Sequence, residues 1–504
     1  MTIEKPINKL FPISYYIGLI VTTLGILQLL PALVSAFYAE WRIFGIFSLT
    51  ASITVLIGIV MVLTGYKYKS VRLSFGEGTV VASSAWFLGM LLCALPYYLS
   101  GNYLSYLDCC FDVMSGLTTT GLCLIQDMDH LSNGINMWRH LLTFVGGQGM
   151  VVLALTFLTK DQSGAYKMYV GEAKDEKLFP NAVSTARQIW FISLIYLVIG
   201  TIVLSVAAFL DGLSPDRAFL HGMWIYMSAW STGGFAPVSQ NILYYHSTFI
   251  ELATVIFFVV GSFNFALHYA VLSGKRAELR HNIETMTFSV TLTLLTLLTT
   301  AGLIKNHVYP NILALFRKGF YQLISGHTTT GFMTIYAKQF YLEWGDIALF
   351  AMILAMLFGG CACSTAGGFQ ALRIGIIVAA YKAEIEHMLL PESRIKEQKI
   401  HHVKGIVLTD SIIKSSFLIV TAYMITFVLG TILGMFAGFS FGMSAFECAS
   451  VTGNVGLSIG VTSASMPAYL KIAYTIIMWL GRLEFLSILT LGAYIIRKVG
   501  RKCD

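Results

Sequence analysis

Charge is what this chain has least of. Only 12% of its 504 residues are Asp, Glu, Lys or Arg, about half the share usual in a soluble domain. With 56% hydrophobic residues and a mean hydropathy of +0.73, a water-soluble globule is excluded. No soluble segment exceeds about thirty residues, and no Gly-rich nucleotide fingerprint follows a strand pattern. The eight cysteines have no zinc-type spacing with histidine, and Cys361-Ala-Cys363 is too close for an ordinary metal pair; they read as small apolar packers. The Glu384/Glu386/His387 run and the His401–His402 pair match no metalloprotease helix, so they read as solvated linker. No nucleophile–base constellation of an intramembrane enzyme is present in the pattern. The net charge of +7 points to no nucleic acid, because its basic residues sit in short loops.

What the chain has is apolar length. Ten stretches are long enough to cross a bilayer, which takes roughly 20 residues each. They fall at 11–37, 43–65, 79–99, 136–159, 188–210, 247–273, 286–304, 346–380, 408–438 and 470–497. The first is too long for a removable signal peptide and reads as an anchor. Of 33 Lys and Arg, 22 lie at the N-terminus, in 66–78, 160–188, 274–285 and 381–407, and in the tail. The positive-inside rule places those segments, and both termini, in the cytoplasm. Lys305, Arg317, Lys318 and Lys338 depart from the rule.

Between the apolar stretches one pattern recurs four times: an aromatic residue, a serine four further on, and a glycine six beyond that. The copies run Phe111–Ser115–Gly121, Trp224–Ser228–Gly234, Tyr321–Ser325–Gly331 and Phe446–Ser450–Gly456. A second signal keeps step: Gly146-Gly147, Gly261, Gly359 and Gly481 each follow a loop glycine by 25 to 28 residues. The helices before each serine, about ten residues long, are too short to span. Backbone that leaves helical geometry at membrane depth must line water or be buried in protein. The four Thr/Gly loops therefore face one interior, where carbonyls can replace a cation's water shell. The expected fold is an all-α membrane protein. Four parallel helix–pore loop–helix repeats surround one pseudo-fourfold pore, with two extra N-terminal transmembrane helices. The units divide as 1–75 for the extension, then 76–160, 161–275, 276–400 and 401–504.

These motifs identify a resemblance. Ser-Gly-Leu-Thr-Thr-Thr-Gly (115–121), Ser-Thr-Gly-Gly-Phe (231–235), Thr-Thr-Thr-Gly-Phe (328–332), Asn-Val-Gly (454–456), the Gly359–Gly368 run and Gly-Arg-Leu-Glu-Phe (481–485) together resemble the Trk/Ktr/HKT superfamily of potassium transporters, closest to the bacterial TrkH type. The resemblance implies potassium uptake through a filter of Thr119, Thr120, Gly121, Thr232, Gly233, Gly234, Thr329, Thr330, Gly331, Asn454, Val455 and Gly456. Glycine in all four loops implies K⁺ over Na⁺, with K⁺ the transported ion and no cofactor in the chain. The fourth loop departs most, and full fourfold symmetry is not expected. Gly359, Gly360, Ser364, Thr365, Gly367 and Gly368 would form an unwound gating loop. Arg482, in the middle of the last span, would be an electrostatic barrier or a holder of loop carbonyls. Asp112 and Glu447, three residues before their serines, would either draw cations to a vestibule or accept hydrogen bonds from loop backbone. The resemblance also implies a homodimer, a bacterial inner-membrane location and a TrkA-type cytosolic subunit binding NAD(H) or ATP. The candidate docking surfaces for that subunit are 160–188, 381–407 and the tail from Arg497. A secondary transporter coupled to H⁺ or Na⁺ is the alternative; it would use inverted repeats and ionisable groups at its site, whereas the repeats here run in parallel.

Overall fold

The computed structural model describes residues 10–157 (save 70, 72 and 126), 182–389 and 398–500. Residues 160–181 of the expected docking segment 160–188, part of 381–407 and the end of the tail lie outside the described residues. Among the described residues the regular secondary structure is helical except for one antiparallel hairpin, Lys399–His402 with Lys404–Val407, in a linker where no strand was expected.

The N-terminal extension pairs Leu10–Leu27 and Leu29–Phe37 with Trp41–Gly65. Small residues permit that approach: a Cβ on Gly18 would overlap the backbone at Gly58 and Val62, and one on Gly25 would meet Val55. The carboxylate of Glu40 accepts the amides of Asn133 and Gly134 at 2.7 and 3.1 Å. It thereby caps the next unit's second helix and fixes the extension to it.

Four units follow, each with a long helix, a short buried helix, a Thr/Gly loop and a second long segment. The long entry helices are Phe75–Cys93 (continued by Leu95–Ser100), Ala182–Leu210, Ile283–Lys305 and Asp410–Phe436. The short helices that deliver the loops are Tyr106–Leu117, Pro215–Trp230, Tyr321–His327 and Phe441–Thr452. Their starts are set by local chemistry. The Ser105 and Ser440 hydroxyls accept the amides of Asp108 and Met443, and Pro215 opens its helix at a position that needs no N–H.

The second segments correct the expectation of ten continuous spans. Among the described residues six helices are each long and apolar enough to cross a membrane. The stretch 247–273 is instead Thr248–Gly261 and Phe265–Leu272, bent by 100°, and 470–497 is Ala468–Arg482 and Leu486–Gly500, bent by 111°. Likewise 136–159 breaks at Gly149, whereas the split of 346–380 into Gly345–Phe358 and Ala371–Leu389 falls at the run expected to be unwound. Hydropathy continues across each break, so it cannot register the bend. Arg482 is accordingly the last residue of a helix and not the middle of a span.

Candidate functional site

The four Thr/Gly loops share one backbone. In each, the serine carbonyl accepts the amide five residues on: Ser115 from Thr120, Ser228 from Gly233, Ser325 from Thr330 and Ser450 from Val455, at 2.7–2.8 Å. The carbonyl of the following residue accepts the amide three on, as Gly116 does from Thr119. The turn that results has a fixed handedness. Thr119, Thr232, Thr329 and Asn454 have φ of 57°, 49°, 56° and 54°, and Gly121, Gly234, Gly331 and Gly456 have φ of 86°, 65°, 83° and 94°. Glycine adopts that second conformation without a steric penalty. The fourth loop, different in sequence, keeps the same backbone. Asn454 uses its side chain instead, donating to Thr120 Oγ1 at 3.0 Å and to the Met478 carbonyl at 2.9 Å.

The loops meet in chain order. A Cβ on Gly121 would overlap the carbonyl oxygen of Gly233; one on Gly234, that of Thr330; one on Gly331, that of Val455; and one on Gly456, that of Thr120. First touches second, second touches third, third touches fourth, and fourth returns to first. The four oxygens belong to the residue just before each glycine, so the loops form a closed ring of carbonyls. The second-segment glycines support it from behind. Gly146, Gly261 and Gly481 lie against the carbonyls of Leu117, Trp230 and Thr452, the equivalent last residues of three short helices. In the third unit Gly359 instead ends its helix at φ 71°.

Asp112 and Glu447 are fully buried behind the ring. Asp112 accepts the Leu124 amide at 2.7 Å and the Tyr103 hydroxyl at 2.9 Å; Glu447 accepts the amides of Ile459 and Thr462 at 3.0 and 2.9 Å. These contacts are of the kind expected of a carboxylate that accepts hydrogen bonds from loop backbone. The register is constant, because each carboxylate holds the residue twelve further on. In the third unit Gln322 donates to Thr334 Oγ1 at 2.9 Å across the same interval. In the second unit the matching pair is Ile225 and Pro237, where the missing N–H leaves nothing for a carboxylate to accept.

Residues 359–370 leave helical geometry and lie across one end of the ring. Thr365 donates to the carbonyls of Gly261 and Trp230 at 2.8 and 3.1 Å, and accepts from Thr232 Oγ1 at 3.1 Å. The Gly367 amide donates to Thr329 Oγ1 at 2.9 Å, and its Cα faces the Gly453 carbonyl. With Thr119 Oγ1 donating to the Thr365 carbonyl at 3.5 Å, the segment touches all four loops. Ser364 closes a turn within it, donating to the Cys361 carbonyl at 2.6 Å, and Gly360 packs against Ser262. Gly368 at φ 78° crosses Gly359. Arg482 donates to the Thr365 carbonyl at 2.8 Å and to those of Gly146 and Gly147 at 2.7 and 3.0 Å. It pins the segment to the first unit.

Among the buried charges that escaped the sequence reading, three bear on the ring and its neighbours. Lys471 donates to Asp108 at 2.6 Å and to the Ala464 carbonyl at 2.9 Å, joining the fourth unit to the first. Arg139, fully buried, donates to Asn136 and to the Ala236 carbonyl and lies over the Phe235 ring. Glu284 accepts the Ala362 amide at 2.7 Å and so holds the 359–370 segment. The available signal was charge at membrane depth, since such a residue needs a partner in protein.

Comparison with known proteins places this architecture among integral-membrane cation transport proteins. A family profile described as "TrkH: Cation transport protein" matches residues 46–497, and the chain belongs to that family. An uncharacterized cation transporter of Methanocaldococcus jannaschii is 31% identical over 95% of this chain and 95% of its own. The Trk system potassium uptake protein TrkG of Escherichia coli is 30% identical over 95% and 97%. The crystal structure of the potassium transporter TrkH from Vibrio parahaemolyticus superimposes with a TM-score of 0.81 at 24% identity, over 96% of this chain and 98% of that one; it shares the fold.

Proposed function

We propose that the chain takes up potassium across the inner membrane of a bacterial cell. The ring of backbone carbonyls is its selectivity filter, and the 359–370 segment with Arg482 is its gate. The observation that carries this reading is the closed ring: four equivalent carbonyl oxygens, each so near the glycine of the adjoining loop that a Cβ there would overlap it. Such a ring replaces a cation's water shell with main-chain oxygen and needs no charged side chain. Nothing ionisable stands at the twelve ring positions, which favours a pore over coupling to H⁺ or Na⁺. The names of the relatives from Escherichia coli and Vibrio parahaemolyticus support potassium as the cargo. Arg482 acts here through charge as well as through its bonds, because a guanidinium at this depth opposes a passing cation. Both termini lie in the cytoplasm, as does a regulatory subunit binding NAD(H) or ATP, and two copies of the chain pair.

The test is rescue of a potassium-uptake-deficient bacterium, with radiolabelled rubidium flux in proteoliposomes, comparing the native chain with Gly121→Ser. Rescue and a preference for K⁺ or Rb⁺ over Na⁺, lost in the variant, is the expected result. Flux with a selectivity indifferent to Gly121→Ser would remove the ring from the conduction path.

A further inference from the structure

A cavity borders the 359–370 segment. It has a volume of about 410 Å³, with Ala362 and Cys363 in its wall, together with the N-terminal parts of Phe75–Cys93, Ala371–Leu389, Asp410–Phe436 and Leu486–Gly500. Its lining is mostly apolar, but six oxygen-bearing side chains share it: Thr79, Ser411, Ser415, Ser416, Ser487 and Gln370. Two ionised groups face each other in it. Arg373 donates to one oxygen of Glu484, and Gln370 donates to the other at 3.0 Å. Arg373 also donates to the Gln370 side chain at 2.8 Å and to the Phe369 carbonyl at 3.2 Å. Both members of the pair are nearly buried, with side chains 13% and 14% exposed.

The backbone at this clasp is strained on both sides. Gln370 has φ 70°, and Glu484 and Phe485 have φ 52° and 64°, none of them glycine. Residues held in that region persist where their surroundings over-determine them, and they collect at elements with two arrangements. Gln370 and Arg373 follow directly on the segment that crosses the ring. Glu484 sits in the 111° bend two residues after Arg482. Any shift of helix Ala371–Leu389 therefore moves the clasp and the segment together.

We propose that this cavity is the exit chamber for the transported cation, and that the Arg373–Glu484 pair is its lock. Glu484 is the carboxylate that receives the ion beyond the segment, flanked by hydroxyl and amide oxygens suited to a partly hydrated monovalent cation. While the segment lies across the ring, Arg373 occupies that carboxylate and denies it to the ion. Withdrawing Arg373 frees the acceptor, leaves a negative charge at the exit and loosens the segment in one movement. This inference rests on the proposed reading of the ring and the segment.

The experiment measures resting rubidium flux in proteoliposomes holding the full chain alone. It compares the native chain with Arg373→Gln, Glu484→Gln, the exchanged pair Arg373→Glu/Glu484→Arg, and Gly121→Ser. Arg373→Gln raises resting flux on the order of tenfold, the factor given by about 1.4 kcal/mol of lost closed-state preference. Glu484→Gln also raises it, but needs more rubidium for half-saturation because the exit carboxylate is gone. The exchanged pair, and separately the conservative Arg373→Lys, return flux toward the native level. Monodisperse elution on size exclusion confirms folding of each variant. Single variants with native flux, or an exchanged pair and an Arg373→Lys both as leaky as Arg373→Gln, overturn the lock. The Gly121→Ser arm separates the two readings: selectivity that responds there while the clasp variants stay native leaves the filter standing and the lock wrong. Absence of flux in every arm overturns both.

Discussion

At each junction of the ring one hydrogen atom on a glycine faces a neighbouring loop's carbonyl, and a methyl group in its place has nowhere to go. Gly331→Ala and Gly456→Ala would set a Cβ into the oxygens of Val455 and Thr120 while forcing a side chain to φ above 80°. Both variants are expected to lose discrimination between Rb⁺ and Na⁺ as Gly121→Ser does, measured by competition in the flux assay, since one displaced carbonyl unbalances the other three. Arg482 makes a different kind of contact, since its donors hold three carbonyls in two units. Arg482→Ala is expected to raise resting flux, and Arg482→Lys less so, because a single ammonium keeps the charge but cannot span all three oxygens. The repeat Phe111–Ser115–Gly121 and its copies were legible because tight backbone demands particular residues. Glu284 was not, because its partner is the amide of Ala362, 78 residues away, and an amide leaves no mark in the sequence.

Among the elements, the short helices are held from behind by polar pairs. Lys471 and Asp108 are both nearly buried, so removing one leaves an uncompensated charge. Lys471→Met is expected to destabilise the fold by about 3–5 kcal/mol, whereas the double variant Lys471→Met/Asp108→Leu should recover much of that loss. The readout is thermal unfolding in detergent. Glu447→Ala would strand the amides of Ile459 and Thr462 at about 1–3 kcal/mol each, and should lower both melting temperature and flux. The same helices show where hydropathy fails. The glycines Gly146, Gly261 and Gly481 were found in step by counting, yet the bends after Gly261 and Arg482 were invisible, since the residues on both sides are apolar. The Lys399–Val407 hairpin was missed for the opposite reason, being charged and short enough to read as linker. It bears on the same machinery, because His402 reaches Asn282 at 3.3 Å at the start of the helix that carries Glu284.

For the whole molecule, the proposed ion site is made from four loops, and such a site binds only when all four are in place, so a bound ion would stabilise the assembled state over any opened one. Potassium or rubidium is therefore expected to raise the melting temperature, growing with concentration as RT ln(1 + [L]/Kd), while sodium or a bulky organic cation gives little change. An equal response to all four cations would remove selective binding at the ring. The order in which the chain is made adds a further constraint. The seam between the last loop and the first is closed by Gly456 against Thr120, by Asn454 reaching Thr120 across 334 residues, and by Lys471 reaching Asp108 across 363. A ribosome must therefore deliver nearly the entire polypeptide to the membrane before the circle can be completed. An interrupted product would carry three loops and an unpaired edge instead of a finished hole, so a cell that aborts synthesis late would not be left with an open route for its ions.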